Sequence, residues 1–210
     1  MLTAIYGGAF DPVHLGHLAV ARAARDELDA DVALIPTGDP PHRAAAQASA
    51  GDRLAMLELA ISGEPRLRVD RHELDRAGRS YSVDTLMHWR NAVGAEASLA
   101  MIVGQDSFAS LPTWHRWREL FELAHIVVAG RAESRAMPSV LQQHLAGREC
   151  AHPRLLHATP AGHVLELQLA LHPHSSSEIR TRCAAGKSLV GWVPETVADY
   201  ITTHRVYVPV

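Results

Sequence analysis

The first 36 residues constrain the fold more than any other stretch of the chain. Residues 2–6 form a short apolar run, a glycine-rich turn follows, and residues 15–28 carry apolar side chains at helical spacing. A second apolar run at 31–36 ends at a proline. Strand, helix and strand over this length form a βαβ unit, which predicts a right-handed crossover between two parallel strands.

Later apolar runs continue the α/β pattern. We predict strands at 66–69, 98–103, 125–129 and 164–169, the last near a sheet edge because apolar and polar residues alternate. We predict helices at 52–61, from Ser80 or Ser82 to 93, at 140–145, at 174–185 and from Pro194, followed by a short extended tail at 205–210. The pattern is weakest at 131–162. The sequence therefore predicts one domain, 1–210, with a Rossmann-like, doubly wound, mainly parallel sheet of five to six strands flanked by helices, and a small C-terminal helical part at about 175–210.

Composition limits the class of protein. A net charge of −3 removes the electrostatic case for non-specific nucleic-acid binding. No apolar run approaches the ~18 residues of a membrane span, and the N-terminus does not resemble a signal peptide. The two cysteines lack metal-type spacing and are typical of reduced thiols in a cytosolic protein. We expect a cytoplasmic protein that binds neither nucleic acid nor membrane.

Three predicted helix N-termini carry residues suited to phosphate. The first follows the turn GGAFDPVHLGH at 7–17, where His14 and His17 would share a face of the first helical turn. The second follows hydroxyl-bearing residues at 80–85, and the third begins at 174–180 with three serines and Arg180. Helix capping explains only one or two hydroxyls of the second and only one serine of the third. Because helix N-termini offer N–H groups and a positive dipole end, we infer a phosphate site at the carboxyl ends of the strands.

Other phosphate and catalytic motifs are absent from the sequence. Nothing matches the P-loop, the dinucleotide fingerprint or a nucleophile elbow. Zinc held by His14, His17 and His42 is disfavoured, because 14 histidines produce such pairs by chance. Nucleotidyl transfer fits better, since it needs alignment and charge neutralisation, and an attacking phosphate is already largely ionised. Histidines and an arginine that donate to phosphate oxygens, together with Mg²⁺, would suffice for this reaction.

Five segments carry a resemblance to a known family. GGAFDPVHLGH at 7–17 resembles the HxGH signature of the nucleotidyltransferase superfamily, and SSSEIR at 175–180 resembles its C-terminal partner. PPHR at 40–43, SYSVDTL at 80–86 and VGQD at 103–106 are similar to segments of bacterial nicotinate-nucleotide adenylyltransferases. The resemblance spans residues 2–207. It implies transfer of AMP from ATP to nicotinate mononucleotide, giving nicotinate adenine dinucleotide and pyrophosphate in NAD biosynthesis, with Mg²⁺ accompanying ATP.

The resemblance also implies a role for each matching residue. Catalysis would depend on His14, His17 and Arg180. ATP would be bound by Gly8, Phe10, His14, His17, Gly104, Asp106, Arg131, Ser176, Ser177 and Arg180. Nicotinate mononucleotide would be bound by His42, Arg43, Tyr81, Thr85 and Trp114. No protein metal ligand is implied, because Mg²⁺ would be held through the ATP phosphates.

The chain departs from the family's usual motifs at four positions, and two other functions are alternatives. Ala9 stands where Ser or Thr is usual, Arg43 replaces Lys and Ser177 replaces Thr, while Gln105 has no explanation in the sequence. A phosphopantetheine adenylyltransferase shares both superfamily motifs but is typically shorter and lacks the 40–43 and 80–85 segments. A non-catalytic nucleotide-binding regulator would be favoured if the signature histidines were missing, and they are present. Nicotinate selectivity is expected from backbone N–H groups near Thr85 and Trp114, and a homodimer is left open.

Overall fold

The computed structural model describes residues 1–38, 46–130, 137–167, 169 and 174–208. The strands are β1 Leu2–Gly8, β2 Ala30–Pro36, β3 Leu67–Val69, β4 Leu99–Gly104, β5 His125–Ala129 and β6 Val164–Leu167. The helices are α1 Leu15–Glu27, α2 Ala50–Ile61, α3 His72–Asp75, α4 Ser82–Val93, α5 Gln105–Ser110, α6 Leu120–Leu123, α7 Ser139–Leu145, α8 Arg154–Ala158, α9 Ser176–Ala184 and α10 Glu195–Thr203. Two short 3₁₀ turns lie at Leu111–Thr113 and Trp117–Glu119.

The strands form one parallel sheet in the order β3-β2-β1-β4-β5-β6. This is the doubly wound Rossmann order, in which the chain winds outward from β1 in both directions. The predicted mainly parallel sheet of five to six strands is confirmed, and β6 lies at an edge as its alternating sequence indicates. The strand order reverses between β1 and β4, so the carboxyl ends of these strands mark the place where ligands bind in such folds.

The sheet separates two apolar layers. Alternate strand residues such as Ala4 and Leu34 pack with Leu18 of α1 on one face. Their neighbours, Ile5 and Ile35, pack on the opposite face with the buried side of α4 and the helices after β4. Both faces are covered, which explains why the inner strands β2, β4 and β5 are largely continuous apolar runs, unlike the alternating edge strand β6.

The structure corrects local predictions. Helix α8 lies within the weakly patterned 131–162 region and was not predicted. Neither Ser80 nor Ser82 caps α4, whose N-cap is Tyr81 without a side-chain hydrogen bond to the helix. The extended tail predicted at 205–210 is wrong for residues 205–207, which belong to a turn at 204–207 where the N–H of Val206 donates to the carbonyl of Ile201 at 3.0 Å. Burial of Val206 against the core favours the turn, and local periodicity does not report such a long-range contact.

Across the ranges described, we find no helix with the length and apolar character needed to cross a membrane.

Candidate active site

A cleft of about 310 Å³ lies at the carboxyl ends of β1, β2 and β4. Gly7 and Gly8 of β1, Thr37 after β2 and Ile102 of β4 contribute to its walls. The cleft is therefore at the point where the strand order reverses, as the fold predicts for a ligand site.

Two histidines cap the N-terminus of α1 reciprocally. His14 is the N-cap, its Nδ1 accepts from the N–H of His17 at 3.3 Å, and Nδ1 of His17 accepts from the N–H of His14 at 3.3 Å. The rings stack with centroids 3.7 Å apart, so they share a face as the spacing predicts. Since each Nδ1 accepts, each neutral ring carries its proton on Nε2.

The amides of this helix end are partly committed within the protein. The N–H of Leu15 donates to the carbonyl of Trp192 at 3.0 Å, and that of His17 is used in the cap. Fewer backbone N–H groups are therefore available here than at an ordinary helix N-terminus, so binding of a phosphate would depend more on the two imidazole rings.

The ring of Phe10 packs against the ring of His17. Phe10 has a left-handed backbone, with φ of 47°, and its buried ring meets the His17 ring edge-to-face at 5.0 Å. A Cβ at Gly8 would lie 3.0 Å from the Phe10 ring, so a larger residue there would require the ring to shift by a few tenths of an ångström. The predicted contacts of Gly8 and Phe10 with ATP stay predictions, and the structure adds a packing reason for both residues.

Helix α9 meets the glycine turn directly. The hydroxyl of Ser176 donates to the carbonyl of Pro12 at 3.0 Å, and Nη1 of Arg180 donates to the carbonyl of Asp11 at 2.8 Å. Nη2 of Arg180 donates to the hydroxyl of Ser177 at 3.1 Å. The two superfamily motifs, more than 150 residues apart in sequence, are thus brought together beside α1.

Asp11 was not assigned a role by the sequence analysis, and its buried carboxylate accepts from three donors far away in the chain. Its Oδ1 accepts from the N–H of Ala48 at 3.1 Å and the hydroxyl of Tyr207 at 2.8 Å, and its Oδ2 accepts from the N–H of Gln47 at 2.8 Å. Nη1 of Arg180 lies 3.7 Å from Oδ2. An acidic residue inside a glycine turn was the available signal, but its partners are far away in sequence.

Arg53 was also missed. It is 4% exposed, and its Nη1 and Nη2 donate to the carbonyls of Ala9 and Thr37 at 2.8 and 2.9 Å. Burial lowers the pKa of Arg53, and the charge of Asp11 acts in the opposite direction. An arginine on the buried face of α2 was the signal, and its role is to tie the two loops that follow β1 and β2.

Three of the five residues predicted to bind nicotinate mononucleotide line the cleft, namely Tyr81, Thr85 and Trp114. Tyr81 places its ring beside that of His115, with centroids 4.6 Å apart. Trp114 is half-buried and its Nε1 donates to the hydroxyl of Ser110 at 3.3 Å. The backbone N–H groups of Thr85 and Trp114 already donate within the protein, to the carbonyls of Tyr81 and Leu111 at 3.2 and 2.8 Å. These two amides therefore cannot recognise a nicotinate carboxylate without losing those bonds.

Two further polar residues lie in the cleft: Glu73, which the sequence analysis missed, and Ser80, which it named only as a candidate helix start and among the hydroxyls at 80–85. Glu73 is buried, and its carboxylate accepts from Thr85 and from the N–H of Gly38. Ser80 is 7% exposed, and its hydroxyl has no hydrogen-bond partner within the described ranges. A buried hydroxyl without a partner is costly, so Ser80 is suited to bond a ligand in the cleft.

The remaining predicted residues are placed as follows. Gly104 is the N-cap of α5 and Asp106 lies in its first turn, exposed at the carboxyl end of β4. The Oε1 atom of Gln105 is buried and has no hydrogen-bond partner in the described part of the chain. His42, Arg43 and Arg131 lie outside the described residues. Within the described residues, no group of three or more His, Cys, Asp or Glu side chains could hold a metal ion.

Comparison with known proteins decides the family. Residues 5–182 match the cytidylyltransferase-like family. A probable nicotinate-nucleotide adenylyltransferase of Stenotrophomonas maltophilia is 49% identical over 96% of this chain and 95% of its own length. Its counterpart from Laribacter hongkongensis is 46% identical over 97% and 93%. The chain belongs to the nicotinate-nucleotide adenylyltransferase family.

Solved structures share the fold of this family member. The Plasmodium falciparum nicotinic acid mononucleotide adenylyltransferase complexed with NaAD has a TM-score of 0.73 at 15% identity, covering 98% of this chain and 97% of that one. A putative nicotinate-nucleotide adenylyltransferase from Vibrio parahaemolyticus gives 0.67 at 16% identity, covering 98% and 94%. At this identity the likeness concerns the fold, and it agrees with the doubly wound sheet described above.

Proposed function

We propose that this chain transfers the adenylyl group of ATP to nicotinate mononucleotide, releasing pyrophosphate and forming nicotinate adenine dinucleotide, a step of NAD biosynthesis. Relatives that are 41–49% identical over nearly the whole chain are named probable nicotinate-nucleotide adenylyltransferases. The observation that carries the proposal is that Ser176 and Arg180 bond to Pro12 and Asp11 of the turn that leads into the His14–His17 cap. Gly8 of the same turn lines the cleft together with Tyr81, Thr85 and Trp114.

The chemistry needs positioning rather than a strong base. A phosphate oxygen of the mononucleotide attacks the α-phosphorus of ATP, the bond from that phosphorus to the bridging oxygen breaks, and pyrophosphate leaves. The attacking phosphate, with a second pKa of about 6, is already largely ionised at neutral pH. His14 and His17 would donate from Nε2 to the phosphate oxygens on which negative charge develops.

Arg180 and the start of α9 would hold the β- and γ-phosphates. A guanidinium has five N–H groups, so bonds to Asp11 and Ser177 leave others for phosphate. The hydroxyl of Ser176 already donates to Pro12 and would act through its backbone N–H. The roles of Gly104, Asp106, Arg131, His42 and Arg43 stay predictions.

We propose Mg²⁺ as part of the ATP substrate. The side chains gathered at the helix ends are imidazole, hydroxyl and guanidinium groups, which suit phosphate oxygens rather than a hard cation. The Asp11 carboxylate is occupied by its amide and phenol donors. This set fits a magnesium ion coordinated by ATP oxygens and water, where it would neutralise phosphate charge. Cytoplasmic location and a homodimer stay predictions.

Nicotinate recognition would come from amides at the start of α4. No lysine or arginine lines the cleft within the described residues. The N–H groups of Thr85 and Trp114 are committed, and that of Asp84 also donates to the carbonyl of Tyr81. We therefore assign the carboxylate to the N–H groups of Ser82 and Val83 at the start of α4, where Ser82 lines the cleft.

Pyrophosphate release tests the function. Purified protein with Mg²⁺ and ATP is offered nicotinate mononucleotide, its amide analogue or phosphopantetheine in parallel. We expect release with nicotinate mononucleotide, much less with the amide and none with phosphopantetheine. Release with phosphopantetheine alone would support the rival enzyme, and ATP binding without release in any mixture would support the non-catalytic regulator.

A further inference from the structure

The C-terminal segment returns to the glycine turn. After α10 the chain turns through residues 204–207, with left-handed backbones at Arg205 and Tyr207, whose φ values are 53° and 66°. Such conformations are uncommon for residues with a side chain and persist where surrounding contacts enforce them. Burial of Val206, which lies between them, is one such contact, and the bond of Tyr207 to Asp11 is the other.

The phenol of Tyr207 is a dedicated donor to Asp11. Its hydroxyl lies 2.8 Å from Oδ1 of a carboxylate that is itself buried. Burial, followed by the bond to Asp11, raises the pKa of Tyr207, so the phenol keeps its proton at any physiological pH. Oδ1 therefore always meets a neutral O–H donor from the C-terminal segment.

Asp11 connects this donor to Arg180. Nη1 of Arg180 donates to the backbone carbonyl of Asp11 at 2.8 Å, yet lies 3.7 Å from its Oδ2, beyond hydrogen-bond distance. The guanidinium is thus oriented by the backbone while the carboxylate is satisfied by Tyr207, Gln47 and Ala48. A carboxylate with one donor fewer would attract the guanidinium more strongly and compete with ATP for it.

We propose that Tyr207 is a positioning residue for adenylyl transfer, keeping the Asp11 carboxylate occupied so that Arg180 remains available to the ATP phosphates. This inference rests on the proposed function. It predicts an effect on ATP that does not extend to the mononucleotide, because Tyr81 and Trp114 pack in the apolar layer on the opposite face of the sheet from Tyr207. Neither they nor Thr85 bond to Asp11 among the described contacts.

Tyr200 provides a matched control. Its hydroxyl donates to a carboxylate, Oδ1 of Asp52, at 3.0 Å, and it belongs to the same C-terminal part of the chain. Asp52 accepts from Ser49 at the start of α2 and is not bonded to Arg180 in the described structure. Tyr200→Phe therefore removes the same atom and the same kind of bond without touching the Asp11–Arg180 contact.

The experiment compares Tyr207→Phe, Tyr200→Phe and the unmodified protein. Steady-state pyrophosphate release gives kcat and KM for each substrate, titration with a non-reactive methylene analogue of ATP plus Mg²⁺ gives Kd, and thermal melting gives the folded fraction. For Tyr207→Phe we expect kcat/KM for ATP to fall, and Kd for the analogue to rise, by about tenfold, the scale of one hydrogen bond to a charged group. KM for nicotinate mononucleotide should stay within about twofold, and Tyr200→Phe should match the unmodified protein in all three binding values.

Several outcomes would overturn the inference. Unchanged kcat/KM for ATP and unchanged Kd for the analogue in Tyr207→Phe would overturn it. An equal loss of kcat/KM for both substrates, or a loss explained by a smaller folded fraction, would also overturn it, because either result means a merely structural role. The same ATP defect in Tyr200→Phe would also count against it. If the unmodified protein binds the analogue but releases no pyrophosphate, the proposed function fails while the analogue titration still decides the role of Tyr207.

Discussion

The hydroxyl of Thr85 donates a 2.7 Å hydrogen bond to Oε1 of Glu73, and the two residues are only 4% and 6% exposed. The other carboxylate oxygen of Glu73 accepts from the N–H of Gly38 at 3.4 Å. Gly38 follows β2 and Thr85 lies in α4, so this buried carboxylate holds two walls of the cleft at a fixed separation. Thr85 therefore contributes to the site through its bond to Glu73 as well as through any contact with substrate.

Replacing Thr85 by Val should weaken both the fold and mononucleotide binding. The change keeps the shape but removes the donor, leaving a buried oxygen of Glu73 unsatisfied, so the free energy of unfolding should fall by about 1–3 kcal/mol. We expect a higher KM for nicotinate mononucleotide and little change in KM for ATP. Denaturant unfolding and steady-state kinetics measure the two effects. Thr202→Val is the control, since its exposed hydroxyl bonds only the preceding turn of α10; equal stability losses in both variants would contradict the role of Glu73.

Replacing His17 by Ala should lower turnover far more than ATP affinity. A donor aimed at charge that develops in the transition state contributes on the order of 10²–10³ to kcat. The ring also accepts from the His14 amide and packs on Phe10, so a modest loss of stability should accompany the change. Kinetics with ATP varied, beside titration of a non-reactive analogue, separates the two effects. His88→Ala, an exposed histidine that stacks on His72 away from the cleft, should behave as the unmodified protein; normal kcat with a raised KM in His17→Ala would refute the transition-state role.

Replacing Arg53 by Lys should loosen the loops after β1 and β2. An ammonium group cannot reproduce the fork that bridges the carbonyls of Ala9 and Thr37. We expect the free energy of unfolding to fall by about 1–3 kcal/mol, and kcat to fall because the turn carrying His14 loses its support. Arg22→Lys on the surface, where Arg22 pairs with Glu64, should cost at most about 1 kcal/mol. Chemical denaturation of both variants gives the comparison, and equal costs would argue against a special role of Arg53.

Stability should fall in mild acid because of His125. This histidine is fully buried, its Nδ1 accepts from the N–H of His163 at 3.1 Å, and its Nε2 lies 2.9 Å from the carbonyl of Thr159. Burial lowers the pKa of His125 below its ordinary value, so in mild acid the unfolded chain binds a proton that the folded protein resists. The free energy of unfolding should therefore be fully retained above about pH 6.5 and decrease below it, by up to about 1.4 kcal/mol per pH unit.

Thermal or urea unfolding between neutral and mildly acidic pH tests this dependence. His125→Gln, whose amide can donate and accept but does not titrate, should show a shallower loss, although burial lowers the pKa of His144 as well and leaves part of the slope. An unchanged slope in His125→Gln would show that other groups cause the dependence.

Much of the fold followed from local pattern. The apolar run at 125–129 matches β5 residue for residue, and one of the three serines expected at the start of α9, Ser175, caps it by accepting from the N–H of Glu178. Trp114 and Trp117 show the limit of such reasoning, because both occur at helical spacing. Trp117 is core, whereas Trp114 walls the cleft. Which of two similar side chains faces a ligand depends on how neighbouring elements pack.

The sequence by itself determined the strand–turn–helix units, the doubly wound order they favour and the motifs that would meet at its switch point. These are encoded within a few residues, by periodicity, glycine turns and helix caps. Only the tertiary structure showed that Asp11 receives Tyr207 and lies beside Arg180, that Arg53 joins two loops, and that Thr85 is held by Glu73. A buried polar group must find a partner, but which one it finds is decided by the path of the whole chain, so no local pattern could identify these pairs.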